Sequence, residues 1–180
     1  VYQSPKLDEI LKIVNKRSQN LFAEQLLRTV AAIIDSDGTG RTALKSEKEF
    51  LKKIGIDPDK MYIMDGSGYS RTNLVTPESI VALLKFIRQH KYWNVFYESL
   101  PKAGIERSLN HRMKDTPAEG NVRAKTGTLD NVSTISGFVK TADGEELVFS
   151  IMCNNFNVDN LEVQKVQDSI LVKLASFSRN

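Results

Sequence analysis

Between residues 122 and 153 the apolar pattern shortens to a period of two, and that change limits the fold more than any other feature of the chain. Residues 122–128, 133–141 and 146–153 read as three strands, with Leu147, Phe149 and Ile151 alternating with partners on the other face. Asp143-Gly144 separates the last two and is a strong hairpin signal. Strands joined this tightly pair antiparallel.

The rest of the chain carries helical spacing. Ser4-Pro5 looks like an N-cap with proline at the first helical position, and Leu7, Ile10, Leu11 and Val14 then share one face. This helix breaks near Asn15-Lys16-Arg17. A second starts at about Asn20, with Leu21, Phe22, Leu26, Leu27, Val30 and Ile34 expected to point inward. Ser18-Gln19-Asn20 is then the junction between two helices. Residues 35–41 read as a loop and 43–54 as a third helix, with Leu44, Phe50, Leu51 and Ile54 apolar and Gly55 its stop. Residues 61–64 suggest a short strand, and Asp65-Gly66-Ser67-Gly68-Tyr69-Ser70-Arg71 a glycine-rich loop. Thr76-Pro77-Glu78 opens another helix, with Ile80, Val81, Leu84 and Ile87 on its core face. Residues 92–97 form an aromatic patch on a short helix, and 100–120 are mostly loop. A last helix over 160–177 carries Val163, Val166, Ile170, Leu171 and Leu174 on one side. Helices, a meander and a closing helix, without βαβ alternation, make an α+β fold. No repeat, low-complexity tract or linker divides the chain, so it reads as one structural unit.

Composition removes several function classes. At 180 residues, 41% hydrophobic and 26% charged, the chain can bury one core. A net charge of +3 is too small and scattered for a nucleic-acid footprint. Cys153 is the single cysteine, which rules out a disulfide framework and predicts a small buried strand residue. His90 and His111 stand far apart, so no zinc pair is expected and neither metal nor organic cofactor is signalled. No apolar run approaches membrane-spanning length and no signal peptide is evident.

Chemistry concentrates in Lys125-Thr126-Gly127-Thr128 on the first strand. Lysine supplies a charge and threonine a hydroxyl donor. Glycine lets a ligand lie against the strand backbone. An edge strand so built can grip a carboxylate or acyl group, although a lone lysine there is equally a solvated surface residue. Ser18 and Asn20 form a Ser-x-Asn on the inter-helix turn, where both residues also suit simple helix capping.

Lys-Thr-Gly and Ser-x-Asn are two of the three signature motifs of penicillin-recognising enzymes. The stretch Asn15-Lys16-Arg17-Ser18-Gln19-Asn20-Leu21-Phe22-Ala23-Glu24-Gln25-Leu26-Leu27-Arg28 resembles the Ser-x-Asn segment of the low-molecular-mass class C penicillin-binding proteins. These are the D-alanyl-D-alanine carboxypeptidases and endopeptidases of the penicillin-binding protein 4 type, peptidase family S13. The loop running from Asp65 to Leu74 resembles that family's Asp-Gly-Ser-Gly segment. Leu100-Pro101-Lys102-Ala103-Gly104-Ile105, Ala124-Lys125-Thr126-Gly127-Thr128-Leu129, Ser136-Gly137-Phe138 and Ala142-Asp143-Gly144 follow in the family's order. The third motif, Ser-x-x-Lys, carries the nucleophile and belongs well ahead of Ser-x-Asn, and the chain is expected to contain none. Thr42-Ala43-Leu44-Lys45 has the spacing but the wrong residue and the wrong order. Residues 1–180 are therefore expected to be the C-terminal part of the penicillin-binding, transpeptidase-like domain, without its nucleophile segment. The opening at Val1 without methionine agrees with a processed or excised piece.

The resemblance implies a serine β-lactamase and penicillin-binding fold, and acyl-enzyme hydrolysis of peptidoglycan stem peptides outside the cytoplasmic membrane. In that scheme Ser18 relays a proton to the leaving amine, with Lys125 polarising it. Asn20 holds the substrate amide carbonyl. Lys125 and Thr126 bind the terminal carboxylate, Gly127 leaves room beside them, and the Thr128 N–H is an oxyanion donor. Tyr69, Ser70 and Arg71 are expected along the cleft near the substrate side chain. The implied partners are a peptidoglycan peptide or β-lactam, the missing N-terminal segment, and a second copy across an exposed sheet edge. Two alternatives stay open: a non-catalytic cell-wall or β-lactam-binding relative, and an unrelated α+β interaction domain. Carboxypeptidase and endopeptidase preference are not separable from the sequence.

Overall fold

The computed structural model describes residues 3–179; Val1, where the sequence opens, lies outside them. The three alternating segments form one antiparallel sheet of order β1-β2-β3: β1 (Arg123–Leu129), β2 (Val132–Lys140) and β3 (Glu146–Asn154). Each strand starts or ends within a residue or so of the expected limits. The Asp143-Gly144 turn closes with Thr141 N–H donating to Glu145 O and Gly144 at φ 87°. Register sets Lys125 opposite Ser136 and Gly127 opposite Thr134.

The pleat divides two cores. On one face Ala124, Ile135 and Phe149 pack with Leu109, Val122, Leu171 and Ala175, under α6 (Asn160–Ser176). On the other, Phe138 and Val148 meet Leu84, Leu100, Trp93 and Tyr97, from α4 (Pro77–Arg88) and α5 (Trp93–Ser99). Trp93 meets Phe138 edge-on at 4.7 Å between centroids, which makes the aromatic patch a true second core. Arg123, paired with Phe138, is buried on this second face, forked onto both carboxylate oxygens of Glu98 at 2.9 Å, its guanidinium 4.7 Å above the Tyr97 ring.

The remaining helices are α1 (Leu7–Arg17), α2 (Asn20–Asp35) and α3 (Gly40–Lys53). Ser18 and Gln19 form the expected junction. Five expectations need correction. Ser4-Pro5 does not cap α1: the helix begins at Leu7, and Lys6 at its N-cap makes no side-chain cap bond. Residues 61–64 are not a strand but a single bridge, Tyr62 to Leu74, too short to propagate a ladder.

The third correction concerns α2. Only Ala31 is buried there, while Leu21 (65%) and Ile34 (63%) face solvent with Phe22, Val30 and Ile33. Periodicity located an apolar face, but α3, α1 and the glycine-rich loop cover only part of it: Leu26 and Leu27 are half-buried. The fourth concerns α6. It buries Val163, Gln167, Leu171 and Ala175, whereas Val166 and Ile170 are exposed. Gln167 can face inward because both ends of its amide are satisfied. Nε2 donates to Ser133 O at 3.0 Å and Oε1 accepts from Arg112 at 3.0 Å. Arg112 also grips Asp168 at 2.7 Å, tying the 100–120 loop to α6. Cys153 is half-buried beside Gln167 rather than fully enclosed.

Gly137 shows how tightly β1 and β2 approach. A Cβ there would collide with the Arg123 carbonyl oxygen and lie 2.7 Å from Ala124 Cα, so only glycine fits. Gly137→Ala should therefore destabilise the fold by about 2–3 kcal/mol, read as a lower chemical-denaturation midpoint. A midpoint equal to wild type would mean the strands can part at no cost.

Candidate active site

Ser18 ends α1 in the left-handed region, at φ 52°, and Asn20 starts α2 two residues later. A serine at positive φ is an uncommon, mildly strained choice, of the kind that gathers at functional sites. The sharp turn carries its side chain to β1. There Lys125 Nζ donates to Ser18 Oγ at 2.8 Å, joining residues 107 apart in sequence. Lys125 also donates to the Thr126 carbonyl at 2.6 Å. Among the described residues no carboxylate pairs with it, and burial pulls its pKa below the ordinary lysine value.

Successive strand residues alternate, so Lys125 turns to Ser18 while the Thr126 hydroxyl turns to Ser108 Oγ, 3.1 Å away. A ligand touching both must lie along the strand edge rather than over one face. Gly127 leaves its side-chain position to Thr134, whose Oγ1 would be 2.7 Å from an added Cβ. Beyond it Thr128, Leu129 and Asp130 line a cleft of about 440 Å³ with Tyr69, Arg71 and Asn160. Asn20 lines an adjoining cleft of about 290 Å³ with Leu21, Glu24, Ser67 and Tyr69. Tyr69 is shared, so the two hollows flank one aromatic side chain.

The glycine-rich loop is fastened to α2. Glu24 accepts the Gly66 N–H at 2.8 Å, and Gly66 packs so close that a Cβ would lie 2.9 Å from Leu27 Cβ. Inside the loop, Asp65 accepts the Ser67 hydroxyl at 2.8 Å and the N–H groups of Gly68 and Ser70 at 2.6 and 2.9 Å. Burial tends to raise the Asp65 pKa, but these hydrogen bonds outweigh it and hold the carboxyl below its ordinary value. Arg71 reaches back to Asp130 at 3.0 Å across the mouth of the larger cleft. Ser70 does not line either hollow. Its N–H serves Asp65 and its hydroxyl meets Thr72 at 2.7 Å, so it shapes the loop.

The structure thus joins Ser18 with Lys125 and Thr126 with Ser108, and places Tyr69, Arg71 and Thr128 on one cleft. Sequence reading missed Ser108, Asp130 and Asn160. Asp130 directly follows the Lys-Thr-Gly stretch and could have been flagged by position; Ser108, in a loop 18 residues before Thr126, gives no signal. The expectation that the chain contains no Ser-x-x-Lys needs correction: the letters occur at Ser99-Leu100-Pro101-Lys102. They are no nucleophile motif. Ser99 is fully buried at the end of α5, donates to the Phe96 carbonyl and accepts from Asn15 Nδ2 at 2.7 Å. No group of three or more His, Cys, Asp or Glu residues that could hold a metal occurs among the described residues. What the site can do is bind an anionic group at a desolvated cation and hand a proton through a polarised hydroxyl.

Comparison with known proteins identifies the family and the fold. The model of the D-Ala-D-Ala carboxypeptidase 3 (S13) family matches residues 1–177. A D-alanyl-D-alanine carboxypeptidase of Actinomadura sp. (strain R39) is 37% identical over 98% of this chain and 33% of its own length. The D-alanyl-D-alanine carboxypeptidase DacB of Haemophilus influenzae is 32% identical over 98% of this chain and 37% of its own. The crystal structure of penicillin binding protein 4 from Haemophilus influenzae, complexed with a β-lactam, superposes with a TM-score of 0.86 at 27% identity, covering 98% of this chain and 46% of that one. The chain spans about a third of the length of the curated relatives it matches. It belongs to the D-Ala-D-Ala carboxypeptidase 3 (S13) family, and its α+β architecture is part of the serine penicillin-recognising fold.

The half-buried Lys125, without a carboxylate partner among the described residues, carries a testable cost. Because its folded pKa is lowered, the unfolded chain binds more protons between that value and the ordinary lysine value of about 10.4. Wild-type stability should therefore rise with pH through that alkaline window. Lys125→Met should be more stable than wild type at neutral pH, with the gap narrowing as pH rises through the window. Thermal midpoints across pH check this, and a gap independent of pH would contradict it.

Proposed function

We propose that this chain forms the proton-relay and carboxylate-binding wall of a serine-type D-alanyl-D-alanine carboxypeptidase or endopeptidase acting on peptidoglycan stem peptides. The observation that carries the reading is the Ser18–Lys125 hydrogen bond of 2.8 Å between the Ser-x-Asn and Lys-Thr-Gly motifs. An acyl-enzyme forms on a nucleophilic serine and water releases it. Lys125 and Thr126 hold the terminal carboxylate by charge-assisted contacts. Ser18, polarised by Lys125, relays the proton to the leaving amine. Asn20 orients the substrate amide, and the Thr128 N–H is one oxyanion donor. Tyr69 and Arg71 face the substrate side chain in the larger cleft, with Ser70 behind them as a loop-former.

In this reading residues 1–180 are the C-terminal part of the transpeptidase-like domain, and a segment outside this chain supplies the Ser-x-x-Lys nucleophile. The exposed Val166 and Ile170 of α6 and the free outer edge of β3 support such a neighbour, or a second copy, as their cover. Peptidoglycan as substrate puts the enzyme outside the cytoplasmic membrane; no helix among the described residues is long and apolar enough to cross one. The same Ser18–Lys125 contact supports a second reading, with Ser18 itself as nucleophile and Lys125 its base. A non-catalytic β-lactam-binding relative is the third.

A fluorescent penicillin separates the three. It should label the full-length protein covalently and leave the 180-residue chain unlabelled. Label on the chain alone, lost in Ser18→Ala, would make Ser18 the nucleophile. No covalent label on either leaves the non-catalytic relative. In the full-length protein, Ser18→Ala should slow acylation by roughly 10²- to 10⁴-fold. Sedimentation of the 180-residue chain alone should give a dimer, and a clean monomer would count against the self-covering surface.

A further inference from the structure

The end of α1 is held by more than Ser18. Two residues before it, Lys16 Nζ donates to Glu106 Oε1 at 2.7 Å, in an ion pair about three-quarters buried on both sides. The second Glu106 oxygen accepts the Lys102 N–H at 3.1 Å, and the Glu106 N–H returns to Lys102 O at 3.0 Å. Lys102 in turn bridges to Arg123, the first residue of β1. The turn then continues, with Arg107 at φ 47°, into Ser108, which receives the Thr126 hydroxyl. One turn therefore reaches the Ser-x-Asn helix through Glu106 and the Lys-Thr-Gly strand through Ser108.

We propose that Glu106 is a positioning residue, fixing Ser18 against Lys125 through Lys16 and fixing Thr126 through the turn that ends at Ser108. This rests on the reading that Ser18 relays a proton to the leaving group. Three observations support it. The contact Glu106 controls is demanding: Ser18 sits in a left-handed conformation, and the Lys16 pair and the Asn15–Ser99 bond are the side-chain hydrogen bonds that tether the last turn of α1 among the described residues. Glu106 is a dependable anchor. Burial tends to raise its pKa, but the hydrogen bonds from Lys16 and Lys102, with the charges of Lys16 and Arg123, hold the carboxyl below its ordinary value, so it stays ionised across neutral pH. Finally, neither Lys16 nor Glu106 lines either hollow, so their effect on the chemistry must pass through Ser18 and Thr126.

The test is acylation of the full-length protein by a penicillin, resolving the non-covalent dissociation constant from the acylation rate constant. Glu106→Gln and Lys16→Met should each lower the rate constant by about 10- to 100-fold, the penalty for misplacing a reacting group by an ångström or so. The double variant should be no worse than either single one. The dissociation constant should rise by less than the rate constant falls, because Thr126 shifts while Lys125 keeps its charge. The alkaline limb of the rate profile should move upward in pH, because a displaced Ser18 lets water reach Lys125. Variants that lose thermal stability yet keep the rate constant and the profile would assign the pair a purely structural role and overturn the proposal. If wild type is not acylated at all, the functional reading itself fails. The geometric claim is then decided by NMR titration of Lys125: an unchanged Lys125 pKa in Glu106→Gln and Lys16→Met overturns it as well.

Discussion

The hydrogen bond from Lys125 Nζ to Ser18 Oγ is the contact around which this structure is arranged. It joins a helix end to a strand edge across most of the chain, so both elements must be placed from elsewhere. The strand is placed by its register with β2, made close by Gly137, and by Arg123 locked between Glu98 and the Tyr97 ring. The helix end is placed by Asn15 on Ser99 and Lys16 on Glu106. Ser99 closes α5, and Glu106 and Ser108 lie between it and the sheet, in a region that reads mostly as loop in the sequence. That loop is the mount of the site, and its own firmness comes from Arg112, Asp168 and Gln167.

Lys125 sits in this frame as a cation taken out of water without a counter-ion. Its partners are a hydroxyl and a carbonyl, which satisfy hydrogen bonds but not charge. Stability would be better served by an apolar residue or by a nearby carboxylate. A carboxylate-bearing ligand supplies the missing charge, so the cost in the free protein becomes attraction when the ligand arrives. The Thr126 hydroxyl, parked on Ser108, is a second donor available at the strand edge.

Much of this was legible. The meander, its Asp143-Gly144 turn, the junction at Ser18 and the helix start at Thr76-Pro77 all depend on local rules: a period of two, a turn dipeptide, a capping residue. The structure places them where those rules put them. What failed depended on partners. Phe22, Val30 and Ile34 form a regular apolar face on α2, and regularity says only that a face exists, never what covers it. On α6 the inward residue is Gln167, not Val166, because a buried amide with Arg112 and Ser133 as partners competes with an apolar side chain. Ser99-Leu100-Pro101-Lys102 shows the converse: a spelling that matches a catalytic motif, in a serine with no access to solvent. Ser108 was invisible because its meaning comes entirely from the turn that carries it to Thr126.

These partner-dependent features point in one direction. Leu21, exposed beside Asn20, lines the same hollow as Asn20 and Tyr69. An uncovered apolar side chain therefore borders the polar site directly. Whatever covers α2 at that end must pass within reach of Asn20, and through Tyr69 it borders the cleft that holds Thr128. A covering element placed there for hydrophobic reasons would at the same time bring its own side chains to face Ser18 and Lys125. The exposed leucine beside the motif and the unpaired lysine within it are then two aspects of the same incompleteness. The first is answered by apolar contact and the second by charge, and one neighbouring wall can answer both.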